Sequence, residues 1–147
     1  MNKSSLITIL AVFGLVAVRI VGSNIFYDPL IEFFHHGDYQ LNDLPPIVYW
    51  KFTFSLFIRF IINSALTLVI VKSVFDNVGL LKLTAVILGL TFIIFTPILL
   101  ALTVNGNSEY YQYLFYVRRI LIHPVLTLIL IPAYLYHQRS LKKTSND

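Results

Sequence analysis

Apolar residues fall into four runs along the chain, about 5–27, 53–71, 83–104 and 111–136, and short polar segments separate them. Each run has roughly the 20 residues that an α-helix needs to cross the hydrocarbon core of a bilayer. The pattern predicts an all-α integral membrane protein with four transmembrane helices in one domain over residues 1–147. A cleaved signal peptide is the competing reading of the first run, with Lys3 ahead of it and Val21-Gly22-Ser23 as the processing site. Arg19 interrupts the apolar-to-small transition such a peptide needs, and the run outlasts the usual apolar length.

The polar residues inside the runs are spaced for one helical face. Ser55, Arg59, Asn63 and Thr67 recur every four residues in the second run, and Arg119, His123 and Thr127 do the same in the fourth. Such stripes suit a bundle interior or a polar cavity rather than lipid. Arg118 stands about 100° around the helix from Arg119, so one of the pair faces the stripe and the other reaches a neighbouring helix or a loop. Pro124 and Pro132 in the fourth run and Pro97 in the third are expected to bend their helices. Ala85 and Gly89, four apart, form a weak close-packing pattern in the third.

Between the first two runs lies YDPLIEFFHHG. Asp28 can cap a short helix over about 29–36, Pro29 suits its first position and Gly37 its end. Leu30, Ile31, Phe33 and Phe34 would press this interfacial helix onto the membrane surface.

Composition agrees with the pattern. Hydrophobic residues make up 57% of the 147 and charged residues 12%, about half the share usual in soluble domains. The chain has no cysteine, which excludes disulfides, thiolate metal sites and a cysteine nucleophile. Its net charge of +4 follows topology instead of a nucleic-acid motif. Lys3, Lys72, Lys82, Arg139, Lys142 and Lys143 lie on one side of the four-span arrangement. Asp28, Glu32, Asp38, Asp43 and Glu109 lie on the other, with Lys51 as the basic exception. The positive-inside rule therefore puts both termini in the cytoplasm, and tyrosines gathered with Trp50 at the opposite face agree.

Four arginines remain within the runs: Arg19, Arg59, Arg118 and Arg119. Counted along their helices, all lie roughly 9–12 Å below the outer boundary. An arginine at a helix centre costs about 2.5–3.5 kcal/mol on insertion scales, less near the interface. Two arrangements meet that cost. Each side chain snorkels separately to the head groups, or the four converge on an anion. The spans contain no carboxylate, so the internal candidates for neutralising them are Asp28, Glu32, Asp38, Asp43 and Glu109. A lipid phosphate or a peptide carboxylate would serve from outside.

Catalytic signals are thin. His123 near Arg119 has the makings of a base, but no nucleophile has an assignable place beside it. His35, His36 and Asp38 lack good metal-ligand spacing. No phosphate-binding glycine loop or dinucleotide fingerprint is present, and no cofactor is expected. A transporter would need a repeat, and none is visible.

FYDPLIEFFHHGDY, RFIINS and FYVRRILIHPVLTLILIPAYLYHQ together resemble the small exosortase F-associated membrane proteins of Bacteroidota. The resemblance covers nearly the whole chain, with the third run generic. It implies a bacterial inner-membrane protein encoded beside an exosortase, a transpeptidase-like enzyme that recognises C-terminal sorting signals on exported proteins. It also implies glutamine more often at the place of His123, which favours a hydrogen-bonding role there. Exosortases are thought to use a cysteine with arginine and histidine, so a chain without cysteine is not that enzyme. The resulting expectation is a non-enzymatic accessory protein whose outer-leaflet arginines, with Asn63 and His123, bind an anionic group. Its partners would be membrane lipids, an exosortase and exported substrates. The alternative is an enzyme or binding protein acting on an anionic lipid or lipid-linked intermediate.

Overall fold

The computed structural model describes residues 3–123, 129, 131–134 and 136. Three helices are long and apolar enough to cross a membrane: α1 (Lys3–Ile25), α3 (Tyr49–Phe75) and α4 (Val78–Asn105). α3 and α4 begin four or five residues before the expected apolar windows, and α3 ends four residues after its own; the end groups at the start of α4 and the end of α3 are satisfied locally. The Asn77 side chain accepts from the amides of Gly79 at 2.8 Å and Leu80 at 3.2 Å, capping the first turn of α4. Asp76 adopts the left-handed conformation at φ 42° and donates its amide to the Lys72 carbonyl, closing α3. Gly106, at φ 61°, closes α4 at a position where a side chain would be strained.

α3 is the central helix. It packs against α1, α4 and α5 (Tyr111–Ile122). α1 runs antiparallel to it: the Ser4 hydroxyl bonds the Ser73 carbonyl at one end, and Ser55 Oγ accepts from the Tyr27 amide at 2.9 Å at the other. Small residues let α1 approach closely. A Cβ on Gly14 would stand 3.1 Å from Leu66 Cδ2, and Ala11 and Gly22 are buried on the same contact. Ala85 and Gly89 play no such part, since a Cβ on Gly89 would meet nothing within 4 Å. Pro97 lies inside an unbroken α4. Thr84 and Thr91 of that helix turn their hydroxyls onto the carbonyls of Leu80 and Ile87, which satisfies them without a partner helix.

The fourth run is interrupted. α5 ends at Ile122, and His123 is extended at φ −104°, ψ 140°. The cause is local, because the ring of a proline disfavours helical geometry at the residue before it, here Pro124. At 12 residues α5 is roughly 18 Å long, short of a bilayer crossing. Pro124 and Thr127 lie outside the described residues. Residues 131–134 are again helical. Within them, the Tyr134 hydroxyl accepts from Asn77 Nδ2 at 2.9 Å, and its ring meets Phe75 edge-on at 4.8 Å.

α2 (Leu30–His35) closes the end of the bundle where α1 finishes and α3 begins. Asp28 Oδ1 accepts from the Leu30 amide at 3.2 Å, so its carboxylate caps the helix. Gly37 has no left-handed role. Instead the His35 and His36 rings bond the carbonyls of Ile31 and Glu32, which finishes the helix with side chains. Leu30 and Phe33, expected to face head groups, point into the bundle: Leu30 is fully buried and Phe33 meets Tyr111 edge-on at 5.2 Å. Phe34 meets Phe115 at the same separation. α2 thus fixes Asp28 over the mouth of the bundle.

Candidate anion-binding site

Arg59 projects from the buried face of α3 toward α1 and is 5% exposed. It fits there because Gly22 has no side chain. A Cβ on Gly22 would stand 3.3 Å from Nε and Nη2 of Arg59, so the guanidinium lies against the backbone of α1. The Phe26 ring covers it from one turn further on, with Cζ 5.9 Å from the ring centroid. Arg59 Nη1 lies 3.8 Å from Asp28 Oδ2, close enough to feel the charge but too far for a hydrogen bond. Both Nε and Nη1 are buried with no hydrogen-bond partner. Each unmet buried donor costs about 1–3 kcal/mol, more when charged, so Arg59 is held here at an energetic cost that its neighbours among the described residues do not offset.

Arg118 is placed differently. Its Nη2 reaches Asp28 Oδ2 at 2.5 Å, and its Nε lies 3.1 Å and 3.2 Å from the two carboxylate oxygens. This forked pair is nearly closed to solvent, with side-chain exposures of 13% and 5%. Of the five carboxylates the sequence offered, Asp28 alone enters an ion pair among the described residues. Glu32, Asp38, Asp43 and Glu109 are exposed.

Arg119, one residue on, faces away from Asp28 and covers the Phe115 ring, with Cζ 5.9 Å from its centroid. The break at His123 opens the end of α5, and Asn63 Nδ2 takes the Ile122 carbonyl at 2.7 Å. One cavity of about 490 Å³ follows from these placements. Arg19, Arg59, Arg118 and Arg119 all line it, together with His35, His123 and the apolar side chains of Ile31, Phe34 and Phe115. A second cavity, of about 310 Å³, shares Arg19, Arg59, Arg119, Ile122 and His123 with it and adds Asn63 and the α1 residues Val12, Leu15, Val16 and Val18.

The predicted site residues Arg19, Arg59, Asn63, Arg118, Arg119 and His123 therefore line two cavities that share five of their lining residues. Four guanidinium groups line one cavity; two of them, on Arg59 and Arg118, lie within 4 Å of the Asp28 carboxylate, and Arg19 and Arg119 enter no ion pair among the described residues. The arrangement can hold an anion by charge-assisted hydrogen bonds. Ser64 shares a narrow cavity with His123, but no hydrogen bond joins them, so no nucleophile–base pair is assembled there. Among the described residues no group of three or more His, Asp or Glu side chains could hold a metal ion.

Gly22, Phe26 and Phe115 belong to the site without having been marked by the sequence. The available signal was the set of small residues at 11, 14 and 22, which fall on one side of α1. No protein-family model, curated protein or solved structure matches the chain.

Proposed function

We propose that the chain is a non-enzymatic accessory protein of an exosortase-type protein-sorting system in the inner membrane of a bacterium of the Bacteroidota, and that its arginine-lined cavity binds an anionic group. One observation carries the anion-binding part: Arg59 is buried, its Nε and Nη1 have no partner, and it lines a cavity with three further arginines. The sorting role rests on the resemblance of the FYDP and FYVRR segments to exosortase F-associated proteins.

In this reading the chain crosses the membrane four times with both termini in the cytoplasm. Two contacts support the fourth crossing. Tyr111 packs on Phe33 at the Asp28 end, whereas Tyr134 bonds Asn77 at the opposite end. The site then opens toward the outer leaflet, where an exported protein presents its sorting signal.

Tagged protein extracted in mild detergent is expected to bring the exosortase with it, and deletion of the gene to leave sorting signals unprocessed. Preparations without exosortase, together with normal processing in the deletion strain, overturn the assignment. Since the chain has no cysteine, topology can be read separately. Asp38→Cys should react with an impermeant maleimide in intact cells and Ser145→Cys only after permeabilisation.

A further inference from the structure

The two cavities share five lining residues but differ in the rest of their walls, and the difference bears on the ligand class. Around the wider one are the four arginines. The narrower one continues along α1, where Val12, Leu15, Val16 and Arg19 are spaced i, i+3, i+4 and i+7 and share one helical face. From Val12 to Arg19 that face runs roughly 10 Å. Its opening exists because α1 and α5 each pack on α3 and have little contact with each other. The groove is thus cationic at one end and apolar along the rest.

We propose that this groove holds a phosphate-bearing lipid, its phosphate against Arg59, Arg19 and Arg119 and one hydrocarbon chain along Val12, Leu15 and Val16. The proposal rests on the anion-binding reading and names its ligand. Several guanidinium groups around one point suit a phosphate, whose oxygens accept from more than one fork. Arg59 lines both cavities, and two of its donors, Nε and Nη1, are without an acceptor among the described residues. The apolar wall decides between a lipid and a peptide. An extended peptide entering along Val12, Leu15 and Val16 would bring backbone amides and carbonyls that these side chains cannot pair. A hydrocarbon chain needs no such partners. Asp28 does not oppose the phosphate, because its carboxylate is held by Arg118.

The test uses full-length protein purified in mild detergent, incubated with vesicles of phosphatidylglycerol and re-isolated, with retained lipid read by native mass spectrometry and phosphorus assay. Retention near one lipid per chain is expected. Arg59→Gln and Arg119→Gln should each lower it by about tenfold or more, as loss of a charge-assisted contact would. Arg119 is exposed and outside any ion pair among the described residues, so that variant should fold even where Arg59→Gln does not. Val16→Trp fills the apolar wing and should abolish lipid retention while leaving thermal protection by inorganic phosphate intact. Should it fail to fold, Leu15→Phe takes its place.

No retained lipid in the wild type, or retention that either arginine variant or the wing variant leaves unchanged, overturns the proposal. Thermal protection by inorganic phosphate without lipid retention makes a free anion the ligand. That outcome sinks the lipid inference and leaves the anion-binding reading standing. Exosortase co-purification is scored independently of both.

Discussion

Arg118 and Arg59 line the same cavity, but their surroundings assign them different work. Arg118 is held in a forked pair with Asp28, whose other contacts include the first amide of α2. Arg59 sits 3.8 Å from the same carboxylate, pressed on Gly22, with two donors unmet. A single carboxylate cannot hydrogen-bond two guanidinium groups equally in this geometry. The first arginine therefore fastens the Asp28 loop to α5, and the second keeps two donors without an acceptor among the described residues, the feature on which the anion-binding proposal rests. Burial alone does not separate structure from function here. The state of the donors does.

The largest effect should come from the shared carboxylate. Asp28→Asn leaves Arg118 and Arg59 without a counter-charge and unfastens α2 from α5. Removing one partner of a buried pair costs about 3–5 kcal/mol, to be read from thermal or denaturant unfolding in detergent. Arg59→Gln should behave in the opposite sense when no ligand is bound. It removes a buried charge whose donors are unmet, so stability is expected to hold or rise while anion binding is lost. If both variants lose similar stability, Arg59 is a structural partner of Asp28 and the contrast between the two arginines collapses.

Next in size is the contact that makes room for Arg59. Gly22→Leu would push a branched side chain into the guanidinium and spread α1 from α3. Overpacking of this kind costs about 1–3 kcal/mol. Gly14→Leu, against Leu66 on the same interface, should cost a similar amount without touching the arginine. Anion binding lost in the first variant and kept in the second would tie the site to Gly22 specifically. Equal loss in both would mean that the site depends only on the general seating of α1.

Asn63→Leu removes the donor from the Ile122 carbonyl and leaves a buried acceptor unpaired, at about 1–3 kcal/mol. This variant bears on how much the sequence could reveal. Helical spacing put Arg59, Asn63 and Thr67 on one buried face, since a period of four survives whatever lies opposite. It separated Arg118 from Arg119 for the same reason. The role of Asn63 was not legible. The carbonyl it serves is freed where α5 ends at Ile122, two residues before the expected bend at Pro124, and Asn63 and Ile122 are 59 apart in the chain. Nor could the sequence choose Asp28 from five carboxylates. That choice depends on α2 turning Leu30 and Phe33 into the bundle, a tertiary contact that their apolar character permits without specifying. Gly14 passed as an ordinary member of an apolar run, and Gly22 stood out only in the signal-peptide reading, for lack of the partner helix that gives small residues their meaning.

The smallest predicted effects lie at the carboxylates outside the pair. Glu32, Asp38, Asp43 and Glu109 are exposed and enter no ion pair among the described residues. Neutralising any one of them, as in Asp43→Asn, should change stability by no more than about 0.5 kcal/mol, the range of surface substitutions with no special contact. The pair at Asp28 is shielded from solvent, so salt should weaken it little, whereas exposed charges lose their influence beyond roughly 10 Å at 0.1 M salt. A stability scan of the four variants at low and high salt tests both statements. If Asp38→Asn or Asp43→Asn matched the loss at Asp28, the loop would be neutralising the arginines collectively. Arg59 would then have a counter-charge of its own, and the case for an external anion would go with it.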